Sequence, residues 1–162
     1  MSALTDEKRN ADESNPRGYF EFEPVKRLRS DQAWLDEARG RVVKIIHLLL
    51  RELPADGRFT YRVIFMKRPL DEILASQRVM LEREGKKSAD AAMLRKVFQQ
   101  QMADTESFLS THESFSYLPV EYHDVVRSPL DSAKKIRTFL GCDLDLEAMA
   151  RAVDPALYRQ RL

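Results

Sequence analysis

Apolar residues change their spacing several times along the chain, and each change marks an expected element. Tyr61–Met66 (YRVIFM) ends in four consecutive large apolar residues, the pattern of a strand buried on both faces of a parallel sheet. Lys67 and Arg68 then precede Pro69, after which Leu70, Ile73, Leu74 and Leu81 recur at helical spacing. This predicts a strand, a tight basic turn and a helix with proline near its first turn. A stripe of Met93, Leu94, Val97, Phe98, Met102, Phe108 and Leu109 predicts a long helix over about 88–109, with Gly85-Lys86-Lys87 as the loop before it. Residues 115–122 (FSYLPVEY) read as a further strand, in which Pro119 is the discordant residue because it cannot donate to a ladder.

The pattern is weaker elsewhere. Val25, Leu28, Trp34 and Leu35 suit two short amphipathic turns, the second capped by Ser30 or Asp31 and the segment closed by Gly40. Val42, Val43, Ile45 and Ile46 favour a strand, and Leu48–Leu53 a helix that Pro54 ends. Ser128 and Pro129 have the form of an N-cap and first helical position, with Leu130, Ile136, Phe139 and Leu140 as the buried face and Gly141 as the stop. Two short helical pieces follow, the second capped by Asp154 before Pro155. Residues 1–18 are polar and read as an arm, leaving 19–162 as one domain. Strands alternating with helices imply an α/β fold with parallel pairing, whose ligands bind beyond the carboxyl ends of the strands. That rule directs attention to Lys44–His47, Lys67–Ser76 and Tyr122–Asp124.

Charge adds a constraint. Lys and Arg total 27 against 26 Asp and Glu, a net charge of +1, so no global field draws nucleic acid or an anionic membrane, and an anion site must be local. One cysteine, Cys142, excludes an intrachain disulfide, and the N-terminus has no apolar signal region, which makes a cytoplasmic setting the default. His47, His112, His123 and Cys142 have no metal-ligand spacing.

Arg68 lies on the strand-to-helix turn and Ser76 eight positions later. A guanidinium fork donates two parallel hydrogen bonds to a phosphate, and a serine hydroxyl adds a third. The competing reading makes Arg68 a solvated loop residue and Ser76 a small helix-surface residue. Spacing alone leaves both open.

The segment YRVIFMKRPLDEILASQRVML resembles the strand-turn-helix of sulfotransferases that use 3′-phosphoadenylyl sulfate (PAPS), in which an Arg and a Ser eight residues apart hold the cofactor's 3′-phosphate. VEYHDVVRSPLDSAKKIRTFLG is similar to the family's later strand and helix. There Tyr122 falls on the tyrosine that contacts adenine, Asp124 on an acidic position, and His123 replaces the usual Glu. VVKIIHLLLREL resembles the strand with a lysine and a catalytic histidine, which makes Lys44 and His47 the candidates, His47 standing about one position from the expected place. The resemblance implies that such a histidine takes the proton of an acceptor hydroxyl while the lysine stabilises the bridging oxygen of the departing phosphate. For both residues the competing role is structural packing.

The stretches LTDEKRNADESNPRGYFEFEPVKRL and AVDPALYRQRL also resemble a bacterial subgroup of that family, in which the first of them follows a strand, a phosphosulfate loop and a helix. Here only Met1, Ser2 and Ala3 precede it, and glycines 18, 40, 57, 85 and 141 do not form a phosphate loop. The resemblance therefore implies a P-loop-NTPase-like three-layer fold with a parallel sheet, missing the first strand, loop and helix. It implies PAPS or adenosine 3′,5′-bisphosphate as cofactor and a hydroxyl or amine acceptor, on a small molecule or peptide, for the sulfonyl group. A rearranged sheet, a homo-oligomer covering the gap or a marginally stable product is the further expectation. The alternatives are a non-catalytic nucleotide-binding or interaction module of the same fold, and a small-molecule kinase.

Overall fold

The protein is described from a computed structural model, in which residues 1–6, 11–12, 15–83, 85 and 90–158 are placed. It divides into two compact units, Met1–Phe59 and Thr60–Leu162.

In the first unit Ala3 forms a parallel bridge with Val42, through Leu4 N–H to the Val42 carbonyl at 2.8 Å and Val42 N–H to the Ser2 carbonyl at 2.9 Å. Short 3₁₀ turns cover Glu23–Arg27, Ala33–Leu35 and His47–Glu52. Leu28, Leu35, Leu50 and Trp34 are buried, and Phe22 meets the Trp34 ring edge-on at 5.4 Å. The two turns expected between Pro24 and Arg39 are present, although Gln32 stands at the second N-cap and Asp31 accepts from the Ala33 N–H. The strand expected over Val42–Ile46 is not formed beyond the Val42 bridge, and Ile46 is exposed. A β-branched run becomes a strand only where a neighbouring strand supplies a ladder, and Ala3 supplies a single bridge. The expected helix is the 3₁₀ turn His47–Glu52, followed by Leu53 in extended conformation, as the residue before Pro54 prefers.

The second unit is mixed α/β. Strand β1 (Tyr61–Lys67) is followed by helices α1 (Leu70–Arg83) and α2 (Ala91–Thr111), then strand β2 (Phe115–Glu121). Helices α3 (Tyr122–Arg127), α4 (Pro129–Leu140) and α5 (Leu146–Arg151) complete it, with a 3₁₀ turn at Pro155–Leu157. β1 and β2 pair in parallel from Tyr61↔Phe115 to Lys67↔Glu121, the one sheet among the described residues. Parallel pairing needs a crossover, and α1 and α2 supply it.

Pro119 sits opposite Phe65 in the ladder, a position proline tolerates because β2 is an edge strand. The same openness explains why β1 is not buried on both faces as its apolar run predicts: Phe65 is buried, while Met66 is exposed. Helix α2 is capped by Asp90, whose Oδ1 accepts from the Met93 N–H at 2.8 Å. The start expected at about 88 lies outside the described residues. Ser128 stands at the N-cap of α4 without a side-chain cap bond, and Gly141 ends that helix with φ of 62°, where a side chain would be strained and a Cβ would lie 3.0 Å from Arg62 Nη1.

Candidate functional site

The last pair of the ladder is Lys67↔Glu121, so the chain leaves β1 at Arg68 and β2 at Tyr122, side by side at the carboxyl edge of the sheet. Open α/β sheets take their ligands at that edge. The Arg68 guanidinium carbon lies 5.4 Å from the centroid of the Tyr122 ring, within range of a cation–π contact. Pro69 gives its carbonyl to the N–H groups of Glu72 and Ile73, which starts α1 directly after the turn.

Glu72, in the first turn of α1, is the most deeply buried charged residue of the described chain, 1% exposed. Its Oε2 accepts from Arg68 Nε at 2.8 Å. Its Oε1 faces His123 Nε2 at 3.0 Å and also accepts from the Tyr158 hydroxyl. Three segments meet on one carboxylate: the turn after β1, the start of α3, and the turn at Pro155–Leu157. Asp154 shapes the last of these by accepting from the Ala156 N–H at 3.0 Å, and Tyr158 follows it. The Tyr158 ring meets Tyr122 edge-on at 5.3 Å and lies 5.5 Å from the Arg68 guanidinium carbon.

Burial pushes the Glu72 carboxyl up, but hydrogen bonds from Tyr158, Arg68 and His123 together with the Arg68 charge outweigh it, and the group is held below the usual carboxylate range. Glu72 is then an ionised, accept-only group, which assigns the proton of His123 to Nε2. A depressed native pKa contributes stability that is complete above the unfolded value of about 4.3 and is lost as pH falls through the lower native value. Urea midpoints of wild type and Glu72→Gln, followed from pH 7 to roughly pH 3, are therefore expected to converge at the acid end. A separation that stays constant across the range would show that the fold does not lower the Glu72 pKa.

No family model, no curated protein and no solved structure matches this chain. Of the sequence-predicted residues, the structure brings Arg68 and Tyr122 together. Ser76 is half-buried on α1, one helical turn beyond Glu72. Residues four apart share a helix face, so Ser76 follows Glu72 along one side of α1. Asp124 pairs with Arg127 on α3 at 2.7 Å, an exposed contact.

Lys44 and His47 belong to the unit Met1–Phe59. Lys44 Nζ donates to the Tyr19 carbonyl at 2.8 Å, and His47 opens the 3₁₀ turn His47–Glu52. The described residues contain no cluster of His, Cys, Asp or Glu suited to a metal, and none of their helices is long and apolar enough to cross a membrane. Sequence reasoning missed Glu72 as the partner of Arg68, and His123 and Tyr158 as the groups that bond Glu72 from the other side. The available signal was Glu72 midway between Arg68 and Ser76 at helical spacing.

Proposed function

We propose that the chain is a sulfotransferase-like protein whose Arg68 edge binds the 3′-phosphate end of 3′-phosphoadenylyl sulfate, with a hydroxyl or amine as acceptor of the sulfonyl group. The observation that carries this reading is the placement of Arg68 against Tyr122 at the carboxyl edge of two parallel strands, with Ser76 farther along the helix that starts there. The chemistry suits a nucleotide carrying a phosphate monoester: a guanidinium and a hydroxyl for the phosphate oxygens, an aromatic ring for the base. A mixed α/β unit with parallel strands joined through helices is in keeping with a P-loop-NTPase-like fold.

A non-catalytic nucleotide-binding module is the second reading, favoured by the bond of Lys44 to the Tyr19 carbonyl, a structural use for the candidate catalytic lysine. The two readings share the nucleotide site and differ in turnover. Calorimetric titration with adenosine 3′,5′-bisphosphate is expected to show saturable binding that Arg68→Ala weakens by roughly 10–100-fold, the worth of a hydrogen bond to a charged group. Equal binding by both proteins would remove the phosphate role. Release of adenosine 3′,5′-bisphosphate from PAPS in the presence of hydroxyl and amine acceptors then decides between enzyme and binding module.

A further inference from the structure

Glu72 poses a problem for any anion held by Arg68 and Ser76. It lies between them in sequence, in the first turn of α1, and an ionised carboxylate that attracts the arginine also repels a phosphate. The geometry also contains the answer. Glu72 is turned inward, 1% exposed, and both of its oxygens are engaged: Oε2 by Arg68 Nε at 2.8 Å, Oε1 by His123 Nε2 at 3.0 Å and by the Tyr158 hydroxyl.

The bond to Glu72 uses the Nε–H of Arg68, and the guanidinium carries its remaining N–H donors on Nη1 and Nη2, arranged as a planar fork. Fixing Nε fixes the plane of that fork. A carboxylate held at its other oxygen by two donors from distant segments is restrained, so residues with no place in the phosphate motif bear on the direction of the fork.

We propose that Glu72, anchored by Tyr158 and His123, is the positioning residue of the anion site, and that the segment ending in Tyr158 is part of that site because it sets the orientation of Arg68. The proposal rests on the nucleotide reading for what Arg68 is aimed at. It goes beyond that reading in making recognition of the phosphate depend on Tyr158, 86 positions downstream of Glu72. His123 takes part as the donor that shares Oε1 with Tyr158, and Arg68 is the cation facing the carboxylate from the turn after β1.

Two measurements on the full chain test it. The first needs no ligand: the Nε–H resonance of Arg68, assigned by its loss in Arg68→Lys, is expected to exchange slowly with water. Glu72→Gln is expected to raise that exchange by roughly tenfold or more, the order expected for loss of one hydrogen bond to a charged group, and Tyr158→Phe to raise it by a smaller factor. An exchange rate unchanged in Tyr158→Phe overturns the proposal. The second measurement compares affinities for adenosine 5′-phosphate and adenosine 3′,5′-bisphosphate. Positioning of Arg68 predicts that Glu72→Gln loses the preference for the second nucleotide, and that adding it to Arg68→Ala causes no further loss.

A purely structural role for Glu72 would weaken both nucleotides alike and leave the preference intact, which also overturns the proposal. A wild-type chain that protects the Arg68 resonance through Glu72 and Tyr158 yet does not distinguish the two nucleotides would remove the 3′-phosphate reading and retain the positioning.

Discussion

Glu72→Ala is expected to destabilise the protein by about 3 kcal/mol at pH 7, the low end of what breaking a buried ion pair costs. Removal of the carboxylate takes the acceptor from three donors at once: Arg68 Nε, His123 Nε2 and the Tyr158 hydroxyl. The donors differ in how well water can replace it. The Arg68 side chain is 26% and His123 48% exposed, so both recover part of their hydration, which keeps the cost at the low end rather than the top of the range. The neighbouring residue supplies the control. Asp71 also sits in the first turn of α1, but it points outward to Arg95, and both side chains of that pair are largely exposed. Asp71→Ala is accordingly expected to cost far less than Glu72→Ala. Urea unfolding of the two variants measures the difference, and equal losses would show that Glu72 does not join Arg68 to the C-terminal turn.

That contrast also explains what could be read in the sequence. Asp71 and Glu72 are adjacent acids at a helix start, and both satisfy the preference for negative charge there. One is a surface ion pair and the other a buried hub, a distinction decided by which side of α1 meets His123 and Tyr158. Local pattern sufficed where neighbours in sequence determine the outcome. The span of β1, the extent of α2, the glycine stop at Gly141 and the Asp154 cap all lie close to their expected places, while Met93 and Val97 of the α2 stripe are exposed. It failed for Val42–Ile46, whose strand preference needs a partner that is only one bridge long.

For the site, the spacing of Arg68 and Ser76 was legible because both lie on one strand-turn-helix. The approach of Tyr122 to Arg68 required the register of two strands 54 residues apart, set by Tyr61↔Phe115. Tyr158 was beyond any pattern argument, since no periodicity links a residue after the last turn to the first turn of α1.

Leu109→Ala is the second large expected effect, and it acts on the scaffold behind the site. Leu109 lies near the end of α2 and is 1% exposed, with Thr105 one turn earlier at 2%. On the same part of the helix Phe108 meets Phe115, the first residue of β2, edge-on at 5.1 Å, and Phe115 in turn stacks on Tyr61 of β1 at 4.7 Å. The end of α2 that holds Leu109 therefore seats, through Phe108, the start of the ladder whose far end delivers Tyr122. Truncation of a fully buried leucine loses its transfer free energy and leaves a cavity, a cost of about 3 kcal/mol within a range of 2–5, or roughly 10 °C in Tm. Met93, on the same helix but 65% exposed, provides the comparison. Met93→Ala is expected to change stability by no more than about 0.5 kcal/mol. Thermal and urea unfolding of both variants decide the matter: a Leu109→Ala loss as small as that of Met93→Ala would mean that Leu109 is not part of a packed core at this end of α2. If the loss is as large as expected, nucleotide affinity of Leu109→Ala measured well below its Tm should remain close to wild type, because Arg68, Glu72 and Tyr158 make their contacts away from the cavity.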